Sequence, residues 1–178
     1  MIVIREETAG DVSAIHEVNV AAFDRPNEAE LVDKLRQRGA FTVSLVAEVA
    51  GRVVGHLLFT PVVVVPEVQG TEDRATHQEW GAVALGPVAV LPDYQNQGIG
   101  SQLIKAGLAA CREQGDDIVV VLGHPNYYPR FGFVPSVGAG IKSEYNVPDE
   151  VFMITELRQG ALAGRTGVVK YQPEFNEV

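Results

Sequence analysis

The stretch from Trp80 to Gly115 constrains the fold most. A β-rich run, Trp80 to Val90, ends at Leu91-Pro92, and a turn then opens at Gly98-Ile99-Gly100-Ser101 into a helix reaching Gly115. In that helix Leu103, Ala106 and Ala110 run beside Ile104, Leu108 and Cys111. Two adjacent apolar stripes let a helix lie flat on a sheet. The next run, Ile118-Val119-Val120-Val121-Leu122, is apolar throughout, as in a strand buried on both faces. Strand, sheet-packed helix and buried strand in succession require a layered α/β fold. Gly86-Pro87 inside the first run marks an edge, a bulge or the close approach of another group.

The remaining chain fits around this unit. Ile2 to Arg5 is β-rich, and Thr8-x-x-Asp11 is a near match to a capping box before Val12, Ile15, Val18 and Ala22 at helical spacing. Phe23-Asp24-Arg25-Pro26 breaks that helix. A second runs from Glu28 to Arg38, with Leu31, Val32 and Leu35 on one face and Gly39 as its stop. Val43 to Val49 and Arg52 to Val65 flank Ala50-Gly51 and read as a hairpin. Pro66 to Glu79 reads as a surface loop. The chain from Gly123 to Gly140 is rich in aromatics, glycine and proline, and Phe152 to Leu157 and Gly167 to Tyr171 are the last strand candidates. The order is β-α-α-β-β-β-α-β-(short α)-β-β. It implies one α/β domain of the mixed-sheet α+β type over residues 1–178.

Composition removes several classes. The 178 residues are 46% hydrophobic and 21% charged, which excludes a disordered chain, a fibre and a coiled coil. Fourteen Lys and Arg stand against 23 Asp and Glu, a net charge of -9 with no basic run, so nucleic acid is not the expected partner. An acidic surface suits a cationic substrate such as an amine. The single cysteine, Cys111, allows no intrachain disulfide and fits a reducing compartment. The N-terminus lacks the basic start and apolar run of a secretory signal. Apolar stretches such as Pro61 to Pro66 are far short of the roughly 20 residues a spanning helix needs. A cytoplasmic protein with no membrane partner is expected.

The turn after Pro92 carries the chemistry. Helix N-termini present unpaired N–H groups and a partial positive charge, and so bind phosphates. Gly98 and Gly100, lacking Cβ atoms, let a ligand touch the backbone. A Walker loop requires a lysine before Ser101, where Gly100 stands; a dinucleotide fingerprint requires a third glycine, where Leu103 stands.

Gln95-x-x-Gly98-x-Gly100 resembles the acetyl-CoA signature of the GNAT N-acetyltransferases. The resemblance takes in the preceding Leu85 to Val90 and Pro92-Asp93-Tyr94, and continues in Tyr128-Pro129-Arg130-Phe131-Gly132-Phe133, similar to the family's Y-x-x-x-G-F. The text around Val121 to Pro125 and Val147 to Leu157 is similar to the YhbS-like branch of that family. The resemblance implies a mostly antiparallel central sheet, flanked by helices and splayed near Gly86, with pantetheine in the gap. Val88 and Val90, with Ala89 between them, would pair with the pantetheine amides. Gln97, Gly98, Gly100 and Ser101 N–H groups would hold the pyrophosphate, within a cofactor loop that includes Gln95, Asn96 and Ile99. Acetyl-CoA is then the cosubstrate and no metal is expected. The acceptor is a small-molecule amine or a peptide or protein amine, and a homodimer is common in such proteins.

Transfer by direct attack needs a neutral amine, which near pH 7 costs about 4 kcal/mol for a pKa near 10. The departing thiolate benefits from a proton donor. Tyr128 falls on the family's tyrosine position and is expected to be that catalytic group, with Tyr127 as its rival. Asn126 bonds the pantetheine or caps the short helix. His124 relays a proton or is satisfied by its loop. The resemblance places a glutamate base where this chain has Ala84, so a water chain is an alternative. Glu79 and His77 read as loop surface. Phe23, Arg25, Glu28 and Glu30 border the substrate by resemblance, although each charge alone reads as a solvated helix start. A non-catalytic acyl-CoA-binding module is the rival function, and an NAD(P)-binding domain a weaker one.

Overall fold

The computed structural model of the chain describes residues 1–67 and 78–178. Most of the expected Pro66–Glu79 loop, His77 included, lies outside the described residues.

The strands are β1 (Ile2–Glu6), β2 (Val43–Val49), β3 (Arg52–Val65), β4 (Trp80–Val90), β5 (Ile118–Leu122), β6 (Val134–Pro135), β7 (Ile141–Ser143), β8 (Phe152–Glu156) and β9 (Gly167–Lys170). The helices are α1 (Val12–Phe23), α2 (Asn27–Arg38) and α3 (Ile99–Gln114). One sheet runs β1-β2-β3-β4-β5-β8-β6, with β9 paired to the far end of β3 and to β7. Its ladders are antiparallel except β4 with β5 and β7 with β9. The β4/β5 pair is parallel because α3 carries the chain back across the sheet.

Alternation along the strands assigns the faces. Leu45, Ala47, Leu57 and Phe59 pack with Leu103, Ile104 and Cys111 of α3. Val46 and Leu58 pack instead with Ile15 of α1 and Leu31, Val32 and Leu35 of α2. Cys111 is buried on the sheet-facing side of α3, as its phase in the stripe implies, and burial pushes its thiol up to about 12. Asp11 accepts the Thr8 N–H at 2.7 Å and completes the expected capping box, here over a 3₁₀ turn at Ala9–Asp11 that leads into α1. Arg5 forks onto the same carboxylate at 2.7 and 3.0 Å and holds its pKa far below the usual range. Gly39 ends α2 with φ +65°.

Four expectations change. β6 and β7 lie inside the glycine-rich segment that carried no strand signal, because two or three residues are too few to show alternation. Gly86-Pro87 sits in a central strand where the register with β3 shifts between Leu57↔Val88 and Phe59↔Leu85, so it marks a bulge beside the opening rather than an edge. Leu122 ends β5 at 40% exposure, so only the first four residues of that run are buried. On α1 the fully buried position after Val18 is Asn19, not Ala22.

Asn19 is buried because it meets His56 of β3. Its Nδ2 lies 3.2 Å from His56 Nδ1 and donates to Ile15 O at 2.9 Å, while His56 Nε2 lies 3.0 Å from Ser44 Oγ. Burial, helped by the Arg36 charge, pushes the His56 pKa down to about 3. The unfolded chain therefore takes up a proton below about 6.5 that the folded protein refuses. This stability is complete above pH 6.5 and is lost as pH falls toward 3. Between pH 6 and 4 the stability of His56→Gln should fall less steeply than that of the parent, by on the order of 1 kcal/mol per pH unit. Urea titrations across this range give both slopes; equal slopes would mean that His56 titrates normally.

Candidate active site

β4 and β5 part in the middle of the sheet. Their ladder runs from Val83↔Val119 to Leu85↔Val121 and stops, while β4 continues to Val90 with Leu57, His56 and Gly55 of β3 as partners. From Gly86 onward β4 thus has one paired edge and one open edge. Leu91 N–H donates to Val54 O of β3 at 2.8 Å. Strand alternation then turns the polar groups of Ala89 toward β3 and those of Val88 and Val90 toward the gap. Gln95 Nε2 reaches back to the Val90 carbonyl at 2.9 Å.

Two clefts open on this edge and meet at Tyr127. The smaller, about 450 Å³, lies over the start of α3 among Val90, Asn96, Gly100, Ser101 and Arg130. Gly98 caps α3 in the left-handed region, φ +83°, where a side chain would be strained. The first helical bond runs from Gln102 N–H to Gly98 O, which leaves the N–H groups of Ile99, Gly100 and Ser101 without helical partners. A Cβ on Gly100 would stand 3.2 Å from Tyr127 Oη, and that hydroxyl lies 3.4 Å from Ser101 Oγ. Arg130 stacks on the Tyr127 ring, 4.6 Å from its centroid, and its Nε donates to Tyr127 O.

The larger cleft, about 780 Å³, occupies the gap. Val88 forms one side, Leu122, His124 and Tyr128 another, and Phe23 and Glu28 a third. Tyr128 begins a short 3₁₀ helix, Tyr128–Phe131, and packs edge-on against Tyr127 and Phe133. Its ring fills the space a Cβ on Gly123 would need. Burial, and then the neighbouring Tyr127, pushes its phenol up to about 12. Glu28, 9% exposed, is gripped by Arg25, whose Nε lies 3.0 Å from both carboxylate oxygens.

The structure thus gathers Val88, Val90, Gln95, Asn96, Gly98, Ile99, Gly100 and Ser101 with Tyr128 along one continuous groove. Other expected residues stand apart. Ala89 is buried against the β3 side. Gln97 is exposed, its side chain donating to Asp93 O at 3.2 Å. Asn126 is exposed, lines neither cleft and does not cap the short helix; its N–H donates to His124 Nδ1 at 3.2 Å. With Nδ1 accepting, a neutral His124 carries its proton on Nε2. Phe23, Arg25 and Glu28 line the larger cleft, whereas Glu30 and Glu79 are exposed away from it. Ala84 is buried between Thr60 and Val120. Arg130 and the wall formed by Tyr145, Tyr171 and Phe175 escaped the sequence reading, because no local pattern joins these distant positions. Among the described residues no group of three or more His, Cys, Asp or Glu gathers as a metal site.

An extended arm along the open edge of β4, ending in a diphosphate over α3, has the shape of coenzyme A. The free N–H groups of α3 and the glycine cap fit that group, and fold and site together define an acyl-CoA-dependent transferase. Comparison with known proteins agrees. The profile of the Acetyltransferase (GNAT) family matches residues 12–133, and the chain belongs to this family. It is 36% identical to the N-acetyltransferase YhbS of Escherichia coli (strain K12) over 176 residues, 98% of this chain and 99% of YhbS. The crystal structure of Escherichia coli YhbS in complex with CoA superposes with a TM-score of 0.88 at 33% identity, covering 98% of this chain and 92% of that one. A GNAT family acetyltransferase from Brucella melitensis, in complex with acetyl-CoA, matches with a TM-score of 0.78 at 35% identity over 98% of both chains.

Gly98→Val and Gly100→Val place branched side chains where backbone must approach phosphate. Each should weaken CoA binding at least tenfold, about 1.4 kcal/mol, in calorimetry with the fold intact by circular dichroism. Unchanged affinity would remove α3 as the phosphate site.

Proposed function

We propose that residues 1–178 act as one N-acetyltransferase domain that moves the acetyl group of acetyl-CoA to a primary amine by direct attack. The observation that carries this reading is the end of the β4/β5 ladder at Leu85↔Val121, with the α3 N-terminus on one side of the opening and Tyr128 on the other. In the reaction the neutral amine nitrogen bonds the acetyl carbon and the carbon–sulfur bond breaks; the nitrogen gives up one proton and the departing thiolate takes one up, so amide and thiol form with no net proton released.

The residues divide the work. Val88 offers its open backbone groups and Val90 its N–H to the arm, and Gly98, Gly100 and Ser101 hold the phosphates beside Arg130. Gln95 braces the loop through the Val90 carbonyl, and Asn96 accepts a left-handed φ of +61° within it. Tyr128 donates a hydrogen bond to the departing sulfur. Complete proton transfer from a phenol of pKa about 12 to a thiolate of pKa about 8.5 would be uphill by about 5 kcal/mol. Tyr128 is therefore a hydrogen-bond donor to developing charge, whose proton stays mainly on its own oxygen. With Ala84 in the place of a carboxylate and His124 protonated on Nε2, water carries the amine's proton away. A cytoplasmic location accords with the one buried, unreactive cysteine, and a homodimer is part of the same reading. The specific observation favouring a non-catalytic acyl-CoA binder is the missing carboxylate at Ala84.

Tyr128→Phe should lower turnover about 10²-fold and change acetyl-CoA affinity less than threefold, since the bond forms mainly in the transition state. Tyr127→Phe, near Ser101 rather than in the gap alone, should affect turnover only mildly. The rate at low amine concentration should climb with pH toward the amine pKa and show no fall before pH 11, because Tyr128 keeps its proton. If both substitutions leave transfer to a competent amine untouched, Tyr128 is structural.

A further inference from the structure

We infer that the acceptor is a small primary monoamine with an apolar, ring-bearing body, rather than a polyamine or a protein lysine. The inference rests on the larger cleft being the acceptor site. Its first ground is charge. The protein carries a net charge of -9, yet the larger cleft holds a single acidic side chain, Glu28, among its described lining residues. That carboxylate is already matched by Arg25. A further ammonium of a polycation would meet no second acidic side chain among those lining residues. One ammonium is served by the ring faces that line the cleft, with Glu28 held by Arg25.

The second ground is the far wall. Tyr145, Tyr171 and Phe175 form a continuous aromatic surface, with ring centroids 5.4 Å apart for the first pair and 5.2 Å for the second. Phe23 faces the same space. Phe175 belongs to a 3₁₀ turn, Pro173–Glu177, laid across α2. Arg38 holds that turn through Glu174 at 2.6 Å, Lys34 pairs with Glu177, and Gln172 donates to Pro61 O at 2.8 Å. Tyr145 Oη donates to Asn176 Oδ1 at 3.1 Å and closes the corner. A lysine on a protein surface needs an open approach, whereas this turn walls the acceptor side with rings. A volume of about 780 Å³ accommodates the thioester end of the arm and one small molecule.

The test compares 2-phenylethylamine, spermidine and an N-acetylated lysine peptide as acceptors, with products read by mass spectrometry. The kcat/KM for phenylethylamine should exceed both others at least tenfold. Phe175→Ala should raise its KM about tenfold with acetyl-CoA affinity unchanged. Arg38→Gln, which unpins the turn that carries Phe175 without replacing any wall residue, should raise KM about threefold. Preference for spermidine or the peptide would overturn the inference and leave acetyl transfer standing. If no amine is acetylated, the proposed function fails, and calorimetry of phenylethylamine into CoA-saturated protein decides the acceptor class. Binding that Phe175→Ala weakens supports the inference; absent binding, or binding indifferent to Phe175, overturns it.

Discussion

A strand that leaves its neighbour inside a sheet exposes backbone groups that must find partners. This is the constraint on which the rest of the structure depends. β4 runs on from Gly86 to Val90 without β5, and it stays in place because β3 pairs with it on the other edge. The irregularity is concentrated where it costs least. Pro87 has no N–H to leave unpaired, and Gln95 meets the Val90 carbonyl. What stays open is a short polar edge suited to an extended, amide-bearing ligand, which would complete it much as a strand would.

The elements around the opening are held by different forces. α3 is seated on β2 and β3 by apolar contact of Leu103, Ile104 and Cys111, and its last turn is tied down by Arg112 donating to Leu157 O and Gln114 donating to Thr42 O. This rigid seat fixes where its free N–H groups point. The α1–α2 layer is also apolar at its centre, but polar contacts add direction: Arg5 to Asp11 at its entry and Asn19 to His56 beneath it. The turn after β9 is tied to α2 mainly by exposed ion pairs, which contribute little singly.

The electrostatics of the groove follow from its burial. Tyr128 is kept protonated because a phenolate in that apolar setting would be poorly solvated. Glu28 is paired with Arg25, so a carboxylate reaches the acceptor cleft without adding net charge there. On the proposed reading the neutral amine comes from the solution equilibrium or by loss of a proton to water, and the protein contributes alignment and the Tyr128 hydroxyl as donor to the sulfur.

Much of this was legible in the sequence. The spans of β2, β3 and β4, the glycine caps of α2 and α3 and the phase of Cys111 follow from local rules, because alternation, helical spacing and left-handed glycine are properties of neighbouring residues. The family tyrosine at Tyr128 was legible through Gly132-Phe133 beside it. Other features were decided only by tertiary structure. β6 and β7 exist because β8 and β9 offer them edges, and their own few residues carry no pattern. Gly107 reads as an ordinary weak spot in a helix, yet a Cβ there would stand 2.5 Å from Phe59 of β3. His124 and Asn126 read as candidates for chemistry, and only the fold shows that the Asn126 backbone N–H donates to His124 Nδ1 within one turn. The acceptor wall joins residues 23, 28, 145, 171 and 175. No one-dimensional signal links positions so far apart, since only the sheet order and the return of the chain across α2 bring them to one surface.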